Sequence, residues 1–415
     1  MISAQNHRPP LSGNRWLTFV ILGLVIASCS PKVTQVSTQP KKNVPAKPAE
    51  KTQPAAPVKP AAKVSNIAML LPFGLQHLHA GSPYTTVTLK EADISLDYYR
   101  GFKLALDSLT GQGYNYKLQV FDSKGEKAQA HSLALNPAIR SSDLIIGPVF
   151  PDDIKAFTAA YPNSKQPVVS PLSPAAPATI KSQSLVTMTT PLEYHAVSAA
   201  RYISNKIKPK KIFILKSGYS DENDYIIPFK NTIDSLSKKQ IQVVYLTVIH
   251  GQLGSLIPQL SQNGQNVFIM PATNQHFLTT TLRGLDSLTA TYPVTLFGHP
   301  NWVNFTFLKA DLLQRLNTHI TSSDHINFKD ADVMAFSRIY RSAYKAEPTL
   351  YAVKGFEEGM LLGKQLADGD GKNLSPANFD GLLNNYRFQK KVGLGWINTH
   401  ANIYKYTNFE LKKVE

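Results

Sequence analysis

Ile67-Ala68-Met69-Leu70-Leu71-Pro72-Phe73 and, a little further on, Tyr98-Tyr99-Arg100-Gly101-Phe102-Lys103-Leu104-Ala105-Leu106 decide the fold. The first is apolar at five consecutive positions without alternation, as in a strand covered on both faces, and Pro72 closes it. In the second, Tyr98, Phe102, Ala105, Leu106 and Leu109 fall three and four residues apart, the stripe of an amphipathic helix. A strand followed by a helix of this length is a βα unit. Repetition of that unit yields parallel sheets with right-handed crossovers.

The unit does repeat. Candidate strands lie at 67–71, 117–121, 144–146 and 167–170, then at 212–215, 242–248, 267–270 and 294–297. The two blocks are separated near 185–190. The second block's first helix carries Leu192, Ala196, Ala199, Ile203 and Ile207 on one face. Thr190-Pro191-Leu192-Glu193 before it reads as a capping box with proline at the first helical position. Residues 319–328 read as a crossing segment. Two long helices follow, with stripes Val333/Phe336/Tyr340/Ala343 and Ala352/Phe356/Met360/Gly363/Leu366. The tail at 393–409 is strand-like, with Trp396, Ile397, Ile403, Tyr404 and Tyr406. The expectation is an α/β protein of two Rossmann-like lobes, each with a parallel sheet, joined by a multi-strand hinge. One lobe takes 64–188 with 322–386, the other 189–321 with 387–415.

Before residue 64 the chain is of another kind. Arg8 and Arg15 precede an apolar run that ends in Ile26-Ala27-Ser28-Cys29, a signal-peptide pattern whose last four residues resemble a bacterial lipobox. Cleavage after 28 and lipidation of Cys29 are the expectation, with membrane attachment through the lipid. Ser30 after the cysteine does not resemble an inner-membrane retention signal, so the outer membrane is favoured. Residues 30–63 hold seven prolines and seven lysines (Lys32, Lys41, Lys42, Lys47, Lys51, Lys59, Lys63) against Glu50, and read as an extended tether.

Cys29 is the single cysteine, which excludes disulfides, thiolate catalysis and cysteine-ligated metals. Leader and tether hold half of the formal charge of +16, and the remaining lysines are scattered, so no nucleic-acid stripe is expected. Gly-x-Ser-x-Gly, phosphate-loop and His-Glu-x-x-His patterns are absent from the sequence, and no catalytic residue or cofactor is assigned. His77 and His79 lack a third ligand nearby. In Asp368-Gly369-Asp370-Gly371-Lys372 a lysine stands where calcium needs an oxygen, so no metal site is assigned either. Asp152-Asp153 after Pro151 suit a helix N-terminus.

The two opening stretches resemble the first strand and first helix of type I periplasmic binding proteins. Phe121-Asp122, Asp143-Leu144-Ile145-Ile146-Gly147-Pro148 and Pro167-Val168-Val169-Ser170-Pro171-Leu172-Ser173 are similar to that family's next strand ends. Tyr344, Pro348, Tyr351, Ala352, Gly355 and Phe356 resemble its paired late helices. The resemblance spans roughly residues 64–409. It implies a hinged cleft and a non-catalytic binding role. Two kinds of relative are implied: amino-acid receptors that serve an ABC permease, and outer-membrane lipoproteins that activate a peptidoglycan synthase.

In such a fold ligands lie beyond the carboxyl ends of the parallel strands. The candidate ligand-binding residues are therefore Phe73, Ser123, Gly147, Ser170, Ser173, Tyr219, Asp221, Asn274, His299 and Trp302. The expected ligand is small and polar, amino-acid-like or cell-wall-derived; for an amino acid, Ser170 and Ser173 are candidates for the carboxylate and Asp221 with Tyr219 for the ammonium. Trp302 or Tyr219 is expected to close over a side chain or sugar ring. Val149-Phe150-Pro151 departs from the family, where serine or threonine follows the glycine-proline turn, and supplies fewer donors to a carboxylate.

Overall fold

A computed structural model describes residues 63–79, 81–161, 166–173, 177–369 and 378–415, all within one compact unit. Cys29 and the tether up to residue 62 lie outside the described residues, as does the Asp370-Gly371-Lys372 part of the aspartate-rich turn.

Five strands come first: β1 (Val64–Leu71), β2 (Asn115–Asp122), β3 (Leu144–Ile146), β4 (Val168–Ser170) and β5 (Leu185–Thr187). Five more follow: β6 (Lys211–Lys216), β7 (Gln242–Thr247), β8 (Asn266–Met270), β9 (Val294–Gly298) and β10 (His319–Ser322). After a short hairpin of β11 (Phe379–Asp380) and β12 (Asn385–Tyr386) come β13 (Phe388–Lys391), β14 (Gly395–Asn398), β15 (Asn402–Thr407) and β16 (Glu410–Lys413). One seven-stranded sheet runs β13-β14-β5-β4-β3-β1-β2 and the other β16-β15-β10-β9-β8-β6-β7. Each therefore contains the same doubly wound core, with strand order 2-1-3-4-5 counted within its own block, and a switch point between its first and third strands.

The longer helices, each of at least 8 residues, are α1 (Thr86–Thr110), α2 (Lys127–Ala134), α3 (Pro151–Ala160), α4 (Leu192–Tyr202), α5 (Asn223–Leu236), α6 (Gln275–Leu288), α7 (Ala331–Tyr344) and α8 (Leu350–Asp368). The unbroken apolar run of β1 has its reason here. Ile67, Met69 and Leu71 pack with Tyr98 and Phe102 of α1 and Leu362 of α8, while Ala68 and Leu70 pack with Ala130 of α2 and Phe157 of α3. The second sheet repeats this: Phe213 and Phe268 enter one layer, Ile212 and Ile269 the other.

The chain passes between the sheets after β5, after β10 and between β14 and β15. Four sequence expectations change accordingly. The separator at 185–190 contains β5, and the crossing segment at 319–328 begins as β10 of the second sheet. The tail assigned whole to the second lobe is divided: β13 and β14 join the first sheet through the parallel pairing of Trp396 with Val186, and only β15 and β16 join the second. The capping box at Thr190 is not formed. Pro191 itself is the N-cap and has no polar side chain to cap with, while the Thr190 hydroxyl donates to the His400 carbonyl at 2.5 Å and ties two passes together.

Candidate ligand cleft

At the switch point of the first sheet the backbone donors after β1 are already taken. The Asp122 carboxylate accepts from the amides of Phe73 (3.0 Å), Gly74 (3.2 Å), Leu75 (2.7 Å) and Lys124 (2.9 Å). The Phe73 ring meets Tyr99 edge-on at 6.4 Å. Gly147 has φ +86°, and a Cβ there would meet the Leu70 carbonyl oxygen at 2.1 Å, so glycine is required by packing against β1. Ser123 is buried with an unpartnered hydroxyl, and the buried Ser170 hydroxyl points to the Ser173 carbonyl at 3.5 Å. These candidates, Ser173 included, line none of the cavities described below.

The switch point of the second sheet is open. A cavity of about 370 Å³ between the β6 and β8 loops brings Tyr219, Asp221 and Asn274 together with Ser217, Glu222 and Thr273. Its groups are engaged locally. Asn274 caps α6 by accepting from the Phe277 amide at 3.0 Å, and the buried Glu222 accepts the Ser217 hydroxyl at 2.7 Å. Trp302 overturns its expectation. It is 1 % exposed, and its Nε1 donates to the Ala272 carbonyl at 2.9 Å. The ring fills the space over Gly298, where a Cβ would lie 2.3 Å from it, and belongs to the core of the second sheet. It cannot stack on a solute.

A cavity of about 450 Å³ lies between the sheets. Leu172, Tyr351 and Lys354 line it from the first sheet's side, His195, His299 and Asn304 from the second's, and Thr189, Thr190 and Asp324 from the passes. Of the sequence candidates only His299 is here. The Lys354 Nζ donates to Thr189 Oγ1 and Asp324 Oδ1, both at 2.8 Å. Burial works against its ammonium, but Asp324 and then Glu358 outweigh this and hold its pKa above the ordinary lysine value. His195 pairs through Nδ1 with Thr321 Oγ1 at 3.0 Å, and His299 Nδ1 accepts from the Asn301 amide at 3.1 Å. Burial pulls both imidazoles down to about 4, so both are neutral at neutral pH. The cavity thus offers hydroxyls, amides, neutral imidazoles and one compensated ion pair.

Behind Lys354 two further acids are buried. Glu357 accepts the Tyr386 hydroxyl at 2.6 Å and the Leu383 amide at 2.9 Å, and Glu358 accepts the Tyr98 hydroxyl at 2.8 Å. Burial pushes Glu357 up to about 7 and Glu358 well above the usual carboxylate range. Sequence reading missed Lys354, Glu357 and Glu358 because charged residues beside a helix stripe normally face water, and Asp324 because it lies in an irregular pass without a periodic pattern. The available signal was Gly355, Gly359 and Gly363 in the same helix: small residues permit close cover on one side while apolar residues demand it on another. Among the described residues no group of three histidines or acids could hold a metal ion, and no helix is long and apolar enough to cross a membrane.

No protein-family model and no curated protein matches this sequence. Solved structures do match it. A putative branched-chain amino acid ABC transporter protein from Rhodospirillum rubrum superposes with TM-score 0.59 at 12% identity, covering 85% of this chain and 100% of that one. A leucine-bound ABC transporter substrate-binding protein from Desulfitobacterium hafniense gives 0.55 at 16% identity, with the same coverage. The C-domain of LpoA from Haemophilus influenzae, a regulator of PBP1A, gives 0.55 at 14%, again covering 85% and 100%. The chain has the type I periplasmic binding protein fold, which its neighbours use for binding and regulation rather than for catalysis.

Proposed function

We propose that this fold serves here in a lipid-anchored envelope protein that takes a small, polar, uncharged solute between its sheets, without catalysis. The observation that supports it is the 450 Å³ cavity, within the roughly 300–1,000 Å³ of small-molecule sites and rich in hydrogen-bonding groups without a free charge. A free amino acid suits it less well. Ser170 and Ser173, expected to receive its carboxylate, do not line the cavity; the amides after β1 are bound to Asp122, and the cavity's one cation is bound to Asp324. Solute binding favours a closed arrangement to the extent that it binds that state more tightly. An ABC permease is the partner this reading implies.

Thermal melting with neutral sugars, amides, muropeptides and free amino acids tests it. A neutral solute at about 100 times its Kd should raise Tm by a few degrees. Asn304→Trp, at an exposed position lining the cavity, should remove the shift without lowering the basal Tm. A shift from amino acids alone overturns the uncharged-solute reading. A second reading is favoured by the closed switch point of the first sheet: regulation of a peptidoglycan synthase through protein contact. It takes over if no solute acts and cross-linking in cells captures such an enzyme. The anchor rests on the Cys29 pattern, and Cys29→Ser should release the protein from the membrane fraction.

A further inference from the structure

The bonded cluster around α8 contains one cation, Lys354, and three acids, Asp324, Glu357 and Glu358. Glu357 and Glu358 are adjacent in sequence and 2 % and 0 % exposed. Lys354 is already matched by Asp324 at 2.8 Å, so ionising both glutamates would leave two like charges uncompensated away from water. Their donors are unequal. Glu357 accepts from Tyr386 and Leu383, whereas Glu358 accepts from Tyr98 alone and its Oε1 has no partner. An orphaned anionic oxygen costs more than an orphaned neutral hydroxyl, which places a proton on Glu358.

We propose that the hinge holds a structural proton on Glu358 at neutral pH, and that its loss as pH rises loosens the junction between α8 and the passes. The place matters because α8 is tied in three directions within two turns. Lys354 holds the passes at Thr189 and Asp324, Glu357 holds the β11–β12 hairpin at Leu383 and Tyr386, and Glu358 holds α1 at Tyr98. The titratable groups bearing on Glu358 are Lys354 and Glu357 on its own helix, Tyr98 from α1 and Asp324 from the pass, with Tyr386 of the hairpin, which also bonds Glu357. Tyr98 and Tyr386 lie well above the ordinary tyrosine pKa, chiefly through burial, so both remain donors. Acids whose folded pKa is raised lend stability that is full below the unfolded value and lost as pH climbs through the folded one. Stability should therefore fall on the alkaline side.

Infrared spectra of the full chain at pH 7 test this directly. The protonated-carboxyl C=O band of the wild type should lose one component in Glu358→Gln. That difference isolates Glu358 from Asp153 and Glu357, two other buried acids, which burial pushes up to about 6 and about 7. Melting from pH 5 to 9 should show Tm falling in the wild type and a flatter profile in Glu358→Gln. A band untouched by the substitution, or an equally steep profile, overturns the proposal. If Glu358→Gln does not fold, Glu357→Gln carries the test. Removing the neighbouring charge lowers the Glu358 pKa, so the band should vanish at lower pH than in the wild type, and an unmoved titration overturns the proposal.

Discussion

One helix, α8, shows two ways of being buried. At Gly355 it is held by shape: a Cβ there would stand 2.1 Å from the Tyr98 carbonyl oxygen, and one on the facing Gly101 would stand 1.9 Å from that of Ala352. At Lys354, Glu357 and Glu358 it is held by polar bonds: Lys354 pairs with Asp324, and the two glutamates accept the hydroxyls of Tyr386 and Tyr98. A steric contact fails locally and by degrees. A buried charge fails all at once, because the partner left behind keeps its full desolvation penalty.

Lys354→Ala should break the comparison most severely. It strands Asp324, empties one bond to Thr189 and removes the cation that steadies both glutamates. Asp324 is one-third exposed and can be rehydrated, so a loss of about 1–3 kcal/mol is expected from denaturant unfolding. A loss well below that would mean that the ion pair with Asp324 is not what holds the passes. The same substitution should also steepen any response to alkali, since Lys354 lowers the pKa of both glutamates.

What was legible in the sequence divides along the same line. β1, β6 and β8 announce themselves as unbroken apolar runs because each is covered on both faces, and the α1 stripe at Tyr98, Phe102, Ala105 and Leu109 is buried as its spacing requires. β10 hides because His319, Thr321 and Ser322 are polar, yet all four residues are buried between β9 and β15, where the Thr321 hydroxyl bonds to the His195 imidazole of α4. β13 carries Gln389, Lys390 and Lys391, an exposed edge that composition cannot tell from a loop. The candidate site fared worse. Asn274 and Ser170 fall on the tips of strands, as expected, but a tip hydroxyl or amide bonds equally well to its own backbone. Trp302 is fixed by an acceptor thirty residues earlier, a distance no local pattern reports. Charged residues that meet only in the fold leave no periodic trace at all.

The shape-held positions sharpen the comparison with smaller effects. Gly355→Ala gains about 1 kcal/mol of helix propensity, which would make it stabilising on an open helix. Here the new methyl meets backbone, the Tyr98 carbonyl oxygen at 2.1 Å and the Phe102 nitrogen at 3.0 Å, and neither can move without shifting α1. Overpacking of this kind costs about 1–3 kcal/mol and should outweigh the propensity gain, giving a net loss in denaturant unfolding. Gly359→Ala meets the Ala105 methyl at 2.7 Å, a milder clash, and should lose less. Gly363→Ala meets Leu109 Cδ1 at 2.8 Å and Leu106 Cδ2 at 3.1 Å, the ends of side chains that can rotate aside. There propensity and strain nearly cancel, so the change should be within about 0.5 kcal/mol of zero. A loss at Gly363 as large as at Gly355 would show that the whole face is rigid rather than locked at its centre.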